Sequence, residues 1–126
     1  MKTLQVIETA YRATVEEQDD TIVWITHAMA GAGGEFGVLL IGNAVCYLVR
    51  DQRAPALEIA GWTQSHPPDL AADVAGLAAK GVAIHAVEED LEDRGLRDAG
   101  LIDMLRIIPK ADLPRLFDDY PRIWKW

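Results

Sequence analysis

The chain is poor in the groups that most chemistry needs. It has one cysteine, Cys46, among 126 residues, which excludes an intrachain disulfide and any cysteine-based zinc cluster. No apolar run approaches the roughly 20 residues of a membrane-spanning helix. The N-terminal "MKTLQVIETAYR" lacks the long apolar segment and small-residue cleavage site of a signal peptide, so a cytoplasmic location is expected. Positive charge is scarce and scattered. Twelve Lys and Arg face twenty Asp and Glu, a net charge of −8. That disfavours nucleic acid and anionic membranes as direct partners, and neither is expected, since both bind clustered Lys and Arg. The three histidines, His27, His66 and His85, lack metal-ligand spacing, so no metal centre is expected. His27 and His85 read as structural histidines with their hydrogen bonds satisfied. No Ser-His-Asp set and no G-x-S-x-G elbow is present. The glycine-rich "GAGGEFG" at 31–37 precedes a strand, whereas a dinucleotide or phosphate loop follows one and opens a helix. No cofactor is expected.

Half the residues are hydrophobic, enough for one compact core at this length, and 1–126 reads as a single domain. Strands and helices alternate. "TLQVI" at 3–7 is a first strand. Thr14 and Glu17 stand at capping-box spacing before a helix from about 15. Its stripe is Ile22, Ile25, Met29 and Ala32, and Gly31, Gly33 and Gly34 end it. "EFGVLLIG" at 35–42 is a continuously apolar strand of the kind covered on both faces. Asn43 is placed to cap a second helix, 44 to about 51. Residues 51–68 are irregular, either loop or short edge strand. Pro67-Pro68-Asp69 opens a third helix striped by Leu70, Val74 and Leu77 and closed by Gly81. "VAIHAV" at 82–87 is a third strand, followed by a helical turn at 90–94. "MLRII" at 104–108 is a fourth strand, and Asp112 starts a last helix to about Tyr120. The aromatic tail "YPRIWKW" packs against the body or a neighbouring subunit.

This alternation implies βαβ units: a three-layer α/β/α fold on a mainly parallel sheet of four or five strands. The site of such a fold lies at the carboxyl ends of its strands. Three segments belong there: the loop after Ile7, the turn at 42–46, and the acidic elbow at 87–95. With Asn43 as cap, Cys46 would sit third in a helix, where free amides and the helix dipole favour thiolate. Nearby acids oppose that effect. Glu88, Glu89 and Asp90 can cap the turn, with Arg94 pairing to one of them. Alternatively Glu88 and Arg94 line a pocket beside Cys46.

"VAIHAVEEDLEDRGL" resembles the segment of DsrH and TusB proteins in which a strand runs through an acidic turn into Arg-Gly-Leu. "MLRIIPKADLPRLFDDYPRIWKW" resembles their ending, and "FGVLLIGNAVCYLV" resembles a strand-turn shared by the DsrE, DsrF and DsrH families. The longer first half, with "TVEEQDD", is more like a stand-alone DsrE-like protein. The resemblance to this DsrE/DsrF/DsrH (TusB/TusC/TusD) group implies a parallel α/β fold, homo-oligomers such as trimers or hexamers, and relay of sulfane sulfur as a cysteine persulfide to or from a partner protein. It departs at one place. The family's acceptor cysteine stands at the end of the third strand, where this chain has Ala86-Val87. Cys46 is then the one candidate carrier, with Asn43, Ala86, Glu88, Glu89 and Arg94 as its surroundings. The competing readings are a non-catalytic assembly or docking subunit and a small-molecule-binding α/β protein.

Overall fold

The computed structural model describes residues 1–126. Five strands form one parallel sheet: β1 (Thr3–Ile7), β2 (Phe36–Leu40), β5 (Ala83–Val87), β6 (Leu105–Ile108) and β7 (Arg122–Lys125). Their spatial order is β6-β5-β2-β1-β7. A separate two-stranded hairpin pairs β3 (Glu58–Ile59) with β4 (Trp62–Thr63). The helices are α1 (Thr14–Glu17), α2 (Thr21–Gly31), α3 (Leu70–Ala79), α4 (Glu88–Asp93) and α5 (Leu113–Asp118), with 3-10 turns at Gly42–Leu48 and Lys110–Asp112.

The central strands are apolar almost throughout because both faces of the sheet are covered. Val38, Leu40, Ile84 and Ala86 point to one face, where α2, α3 and the 3-10 turn pack over them. Leu4, Val6, Leu39 and Val87 point to the other, beneath Leu116 and Tyr120 at the α5 end. The three-layer α/β/α arrangement expected from the sequence is present. The second face is thin, because one six-residue helix covers it. Gly37 is required there. A Cβ on it would lie 2.1 Å from the Tyr120 hydroxyl oxygen, so the phenol packs directly on β2 backbone.

The aromatic tail is the fifth strand. β7 pairs with β1, and beyond it the Trp126 N–H donates to the Val6 carbonyl at 2.9 Å. The Trp126 indole donates to Gln5 Oε1 at 2.8 Å. Gln5 is fully buried and donates in turn to Thr26 Oγ1 on α2 at 3.2 Å. One buried amide thus ties first strand, second helix and last residue together. The satisfied network is what makes a glutamine tolerable in a sheet centre.

Local structure departs from expectation at four places. The helix expected from about 15 is two helices, broken where Gln18 takes φ +66°. Asp20 restarts it, accepting from the Ile22 and Val23 amides at 2.9 and 3.0 Å. Thr14 caps nothing, because Ala13 holds the N-cap position and Thr14 is buried. Pro67 and Pro68 precede α3, whose cap is Asp69, accepting from the Ala72 amide at 3.1 Å. Asp112 stands at the N-cap of α5 without a side-chain bond.

His27 is satisfied, with Nε2 2.7 Å from the Asp73 carbonyl and Nδ1 3.0 Å from Lys80 Nζ. His85 is not. It is 5% exposed on β5, and its Nδ1 has no partner. Burial, joined by the charges of Arg106 and Lys2 against that of Asp119, pulls its pKa down to about 4. A base whose folded pKa is depressed stays neutral in the fold, while the unfolded chain protonates below about 6.5. Stability is therefore complete above pH 6.5 and is lost as pH falls from there toward 4. The loss expected from this group is on the order of 2 kcal/mol over that window. Urea unfolding at pH 6.5 and pH 5 should show the first part of it, and His85→Gln should flatten the slope. An unchanged slope in the variant would assign the acid sensitivity to other groups.

Candidate functional site

The three segments expected at the carboxyl edge of the sheet do meet there. The Gly42 amide, at the start of the turn after β2, donates to Asp90 Oδ2 at 2.8 Å. Arg94 lays its fork on Asn43, with Nε and Nη2 donating to Oδ1 at 3.0 and 2.9 Å. Its Nη1 donates to the Asp90 carbonyl at 3.0 Å. From the loop after β1, the Glu8 side chain lies over Gly42, and its carboxylate pairs with Lys125 at 2.6 Å.

The acidic elbow is occupied with structural work. Both Glu89 oxygens accept the Lys110 amide, at 3.1 and 2.8 Å. The Lys110 ammonium stands 3.5 Å from Asp90 Oδ1. Glu88 pairs with Arg97 at 2.9 Å. The acids thus bolt the ends of β2, β5 and β6 to one another. Because a parallel sheet leaves no hairpin to join neighbouring strand ends, side chains must do it.

Several sequence expectations are corrected here. Asn43 does not cap a helix. The segment 42–48 is a 3-10 turn with Ile41 at its N-cap, and the Asn43 oxygen is taken by Arg94. Cys46 accordingly does not occupy the third position of an Asn-capped α-helix. Arg94 pairs with no carboxylate; Glu88 is held by Arg97. Ala86 lines no site, because strand alternation turns it into the fully buried core beside Ile84. Cys46, Glu88 and Arg94 line none of the five main cavities.

Cys46 is partly exposed, on the same edge. Its environment comes from residues that sequence patterns did not single out. The Cys46 carbonyl accepts from Gln52 Nε2 at 2.8 Å, and Gln52 Oε1 accepts from the Tyr11 hydroxyl at 3.0 Å. Tyr11 meets Tyr47 edge-on, ring centroids 5.0 Å apart. The Tyr11 amide donates to the Tyr47 hydroxyl at 2.8 Å, which donates to buried Asp20 at 2.7 Å. Burial raises the Tyr47 phenol; the Tyr11 amide pulls the other way, and Asp20 adds to the rise. Burial, and then the neighbouring Cys46, push the Tyr11 phenol up to about 12. Both tyrosines are thus hydrogen-bonding hydroxyls at neutral pH, and neither is a proton acceptor. The loop carrying Tyr11 is strained, with Tyr11 and Ala13 at φ +59° and +53°. Non-glycine residues hold that conformation only where the surroundings impose it. Here the imposing contact is the Tyr11 amide on Tyr47.

No family model and no curated protein matches the chain. Solved structures do. The ychN protein from E. coli superposes with a TM-score of 0.73 over 100% of both chains, at 13% identity. A conserved protein of unknown function from Bacteroides thetaiotaomicron, BT1422, gives 0.67 at 12% identity, covering 98% of this chain and 94% of its own. MTH1491 from Methanobacterium thermoautotrophicum, also of unknown function, gives 0.66 at 12% identity over 99% and 98%. At these identities the likeness shows the fold alone, and the fold is DsrE-like. No helix is long and apolar enough to cross a membrane.

Proposed function

We propose that this DsrE-like chain takes part in intracellular sulfur transfer, with Cys46 as its carrier thiol. The observation that carries this reading is the position of Cys46. It is the chain's one cysteine, partly exposed, on the turn after β2 at the carboxyl edge of a parallel sheet. In the proposed step the Cys46 thiolate attacks the outer sulfur of a donor persulfide. The donor's sulfur–sulfur bond breaks as the new one forms, and the donor leaves as its thiol. The second half reverses this onto an acceptor thiol. Such chemistry needs nucleophile access and docking, and no cofactor. Gln52 holds the Cys46 backbone and accepts from the Tyr11 hydroxyl. Small alkylating reagents should therefore label Cys46 fully in the folded protein. Labelling only after urea unfolding would make the thiol structural.

A second reading, a docking subunit without acceptor chemistry, is favoured by a different observation. Ala86 stands where the family's acceptor thiol would be, and Glu88, Glu89, Asp90 and Arg94 are all engaged in fixing the edge. Full native labelling with no uptake of sulfur would select this reading.

A further inference from the structure

A cavity of about 270 Å³ opens at the carboxyl edge of the sheet, with Gln52 between it and the Cys46 backbone. Three segments enclose it. Tyr11 comes from the loop after β1, with Thr14 and Val15 opening α1 beside it. Gln52 and Arg53 follow the 3-10 turn, and Leu70 starts α3. Gln52 is the shared wall. Its Nε2 donates to the Cys46 and Val49 carbonyls at 2.8 and 3.0 Å, and its Oε1 accepts from the Tyr11 hydroxyl at 3.0 Å. All its hydrogen-bonding groups are thus engaged, and it stands as a fixed partition.

This cavity differs from a packing gap in three ways. Arg53 is its one charged residue, and no carboxylate lines it. Arg53 is exposed and forms no ion pair, although the chain holds twenty acids. Thr14 is 3% exposed, and its hydroxyl has no hydrogen-bond partner. The Tyr47 hydroxyl is close by but is already engaged with Asp20 and the Tyr11 amide. An orphaned buried hydroxyl in a cavity wall calls for a partner. The wall is also strained: Tyr11, Ala13 and Gln18 are three of the chain's five non-glycine residues with positive φ. Backbone strain of this kind gathers at ligand sites. The volume of about 270 Å³ equals about nine waters at ~30 Å³ each, room for an amino-acid-sized molecule and too little for a protein segment.

We infer that this cavity takes the carboxylate of a small organic persulfide, whose sulfur end reaches past Tyr11 and Gln52 to Cys46. Arg53 pairs with the carboxylate. The Thr14 hydroxyl, turned in by rotation about χ1, is the second donor. The Cys46 thiolate then bonds to the outer sulfur, which keeps its proton. The donor's sulfur–sulfur bond breaks, and its electron pair leaves on the inner sulfur as a thiolate. The exchange consumes no oxidant and no reductant. The choice of a persulfide rests on the sulfur-transfer reading; the carboxylate site does not.

The test uses the Cys46→Ser protein, which binds without reacting, and methyldisulfanyl-propanoate, a capped persulfide that keeps the carboxylate and the sulfur–sulfur bond. Titration followed by amide NMR should shift residues 11–15 and 52–54. The uncharged methylamide of the probe should bind at least about fivefold more weakly, and so should the acid to Arg53→Gln. Arg12→Gln, which removes a guanidinium from a different cavity, should leave binding unchanged. Equal binding of acid and methylamide, no binding of either, or shifts confined to other residues would overturn the site. Binding that depends on Arg53, with no sulfur uptake by wild type, would keep the site and remove the relay. Uptake by wild type at equal rates from the acid and methylamide persulfides would keep the relay and remove the site.

Discussion

Asp20→Ala should destabilise the folded chain by about 3 kcal/mol, roughly 1 from the lost helix cap and the rest from an orphaned buried hydroxyl. One Asp20 oxygen accepts two amides at the start of α2. The other accepts the Tyr47 hydroxyl, on a side chain that is fully buried. Alanine removes both roles and leaves Tyr47 without an acceptor in a low-dielectric setting. Asp20→Asn keeps the cap oxygen but turns an NH2 donor toward the Tyr47 hydroxyl, so it should recover only the share of about 1 kcal/mol that belongs to the cap. Urea unfolding followed by circular dichroism measures both. A loss below about 1 kcal/mol for Asp20→Ala would mean that the Tyr47 hydroxyl finds water or another acceptor. The loop carrying Tyr11 hangs from the same hydroxyl. Native alkylation of Cys46 should therefore change in Asp20→Ala even where the chain remains folded.

The second large effect is expected at the opposite face. Gly37→Ala should cost about 3 kcal/mol, because the added methyl cannot share space with Tyr120. It would meet the phenol oxygen at 2.1 Å, Cζ at 2.6 Å and Cε1 at 2.9 Å. Removing only the hydroxyl would leave the ring clash. Tyr120 is buried, and Lys2 Nζ stands 5.3 Å above its ring, so it cannot simply swing away. The thin cover of that face makes the phenol a principal part of it. The double variant Gly37→Ala/Tyr120→Ala should be less destabilised than the sum of the singles, since the alanine methyl enters the space the ring vacates. Strict additivity would contradict direct packing of the ring on Gly37.

The strands were legible where burial on both faces makes the residue pattern continuous. "FGVLLIG" and "VAIHAV" are the two central strands, and their neighbours follow from the βαβ rule. β7 was not legible as a strand. "RIWK" is short and charged at both ends, and its place is set by distant bonds from Trp126 to Val6 and Gln5. The elbow's location was legible and its wiring was not. Asn43 before an apolar run is a fair capping signal, yet the Arg94 fork, 51 residues away, takes its oxygen. The same limit hid Asp20 and Tyr47, a pair 27 residues apart whose partnership leaves no local pattern. Strand parity alone could have placed Ala86 in the core, once Ile84 was assigned to the helix-covered face.

The central claim is that Cys46 carries sulfur, and intact-mass spectrometry of the native protein after incubation with a low-molecular-weight persulfide donor tests it most directly. The expected result is a mass gain of one or more sulfur atoms in wild type, reversed by a reductant and absent in Cys46→Ser. A native wild-type protein that gains no sulfur while its Cys46 still alkylates freely would contradict the claim, and the chain would then be a docking subunit.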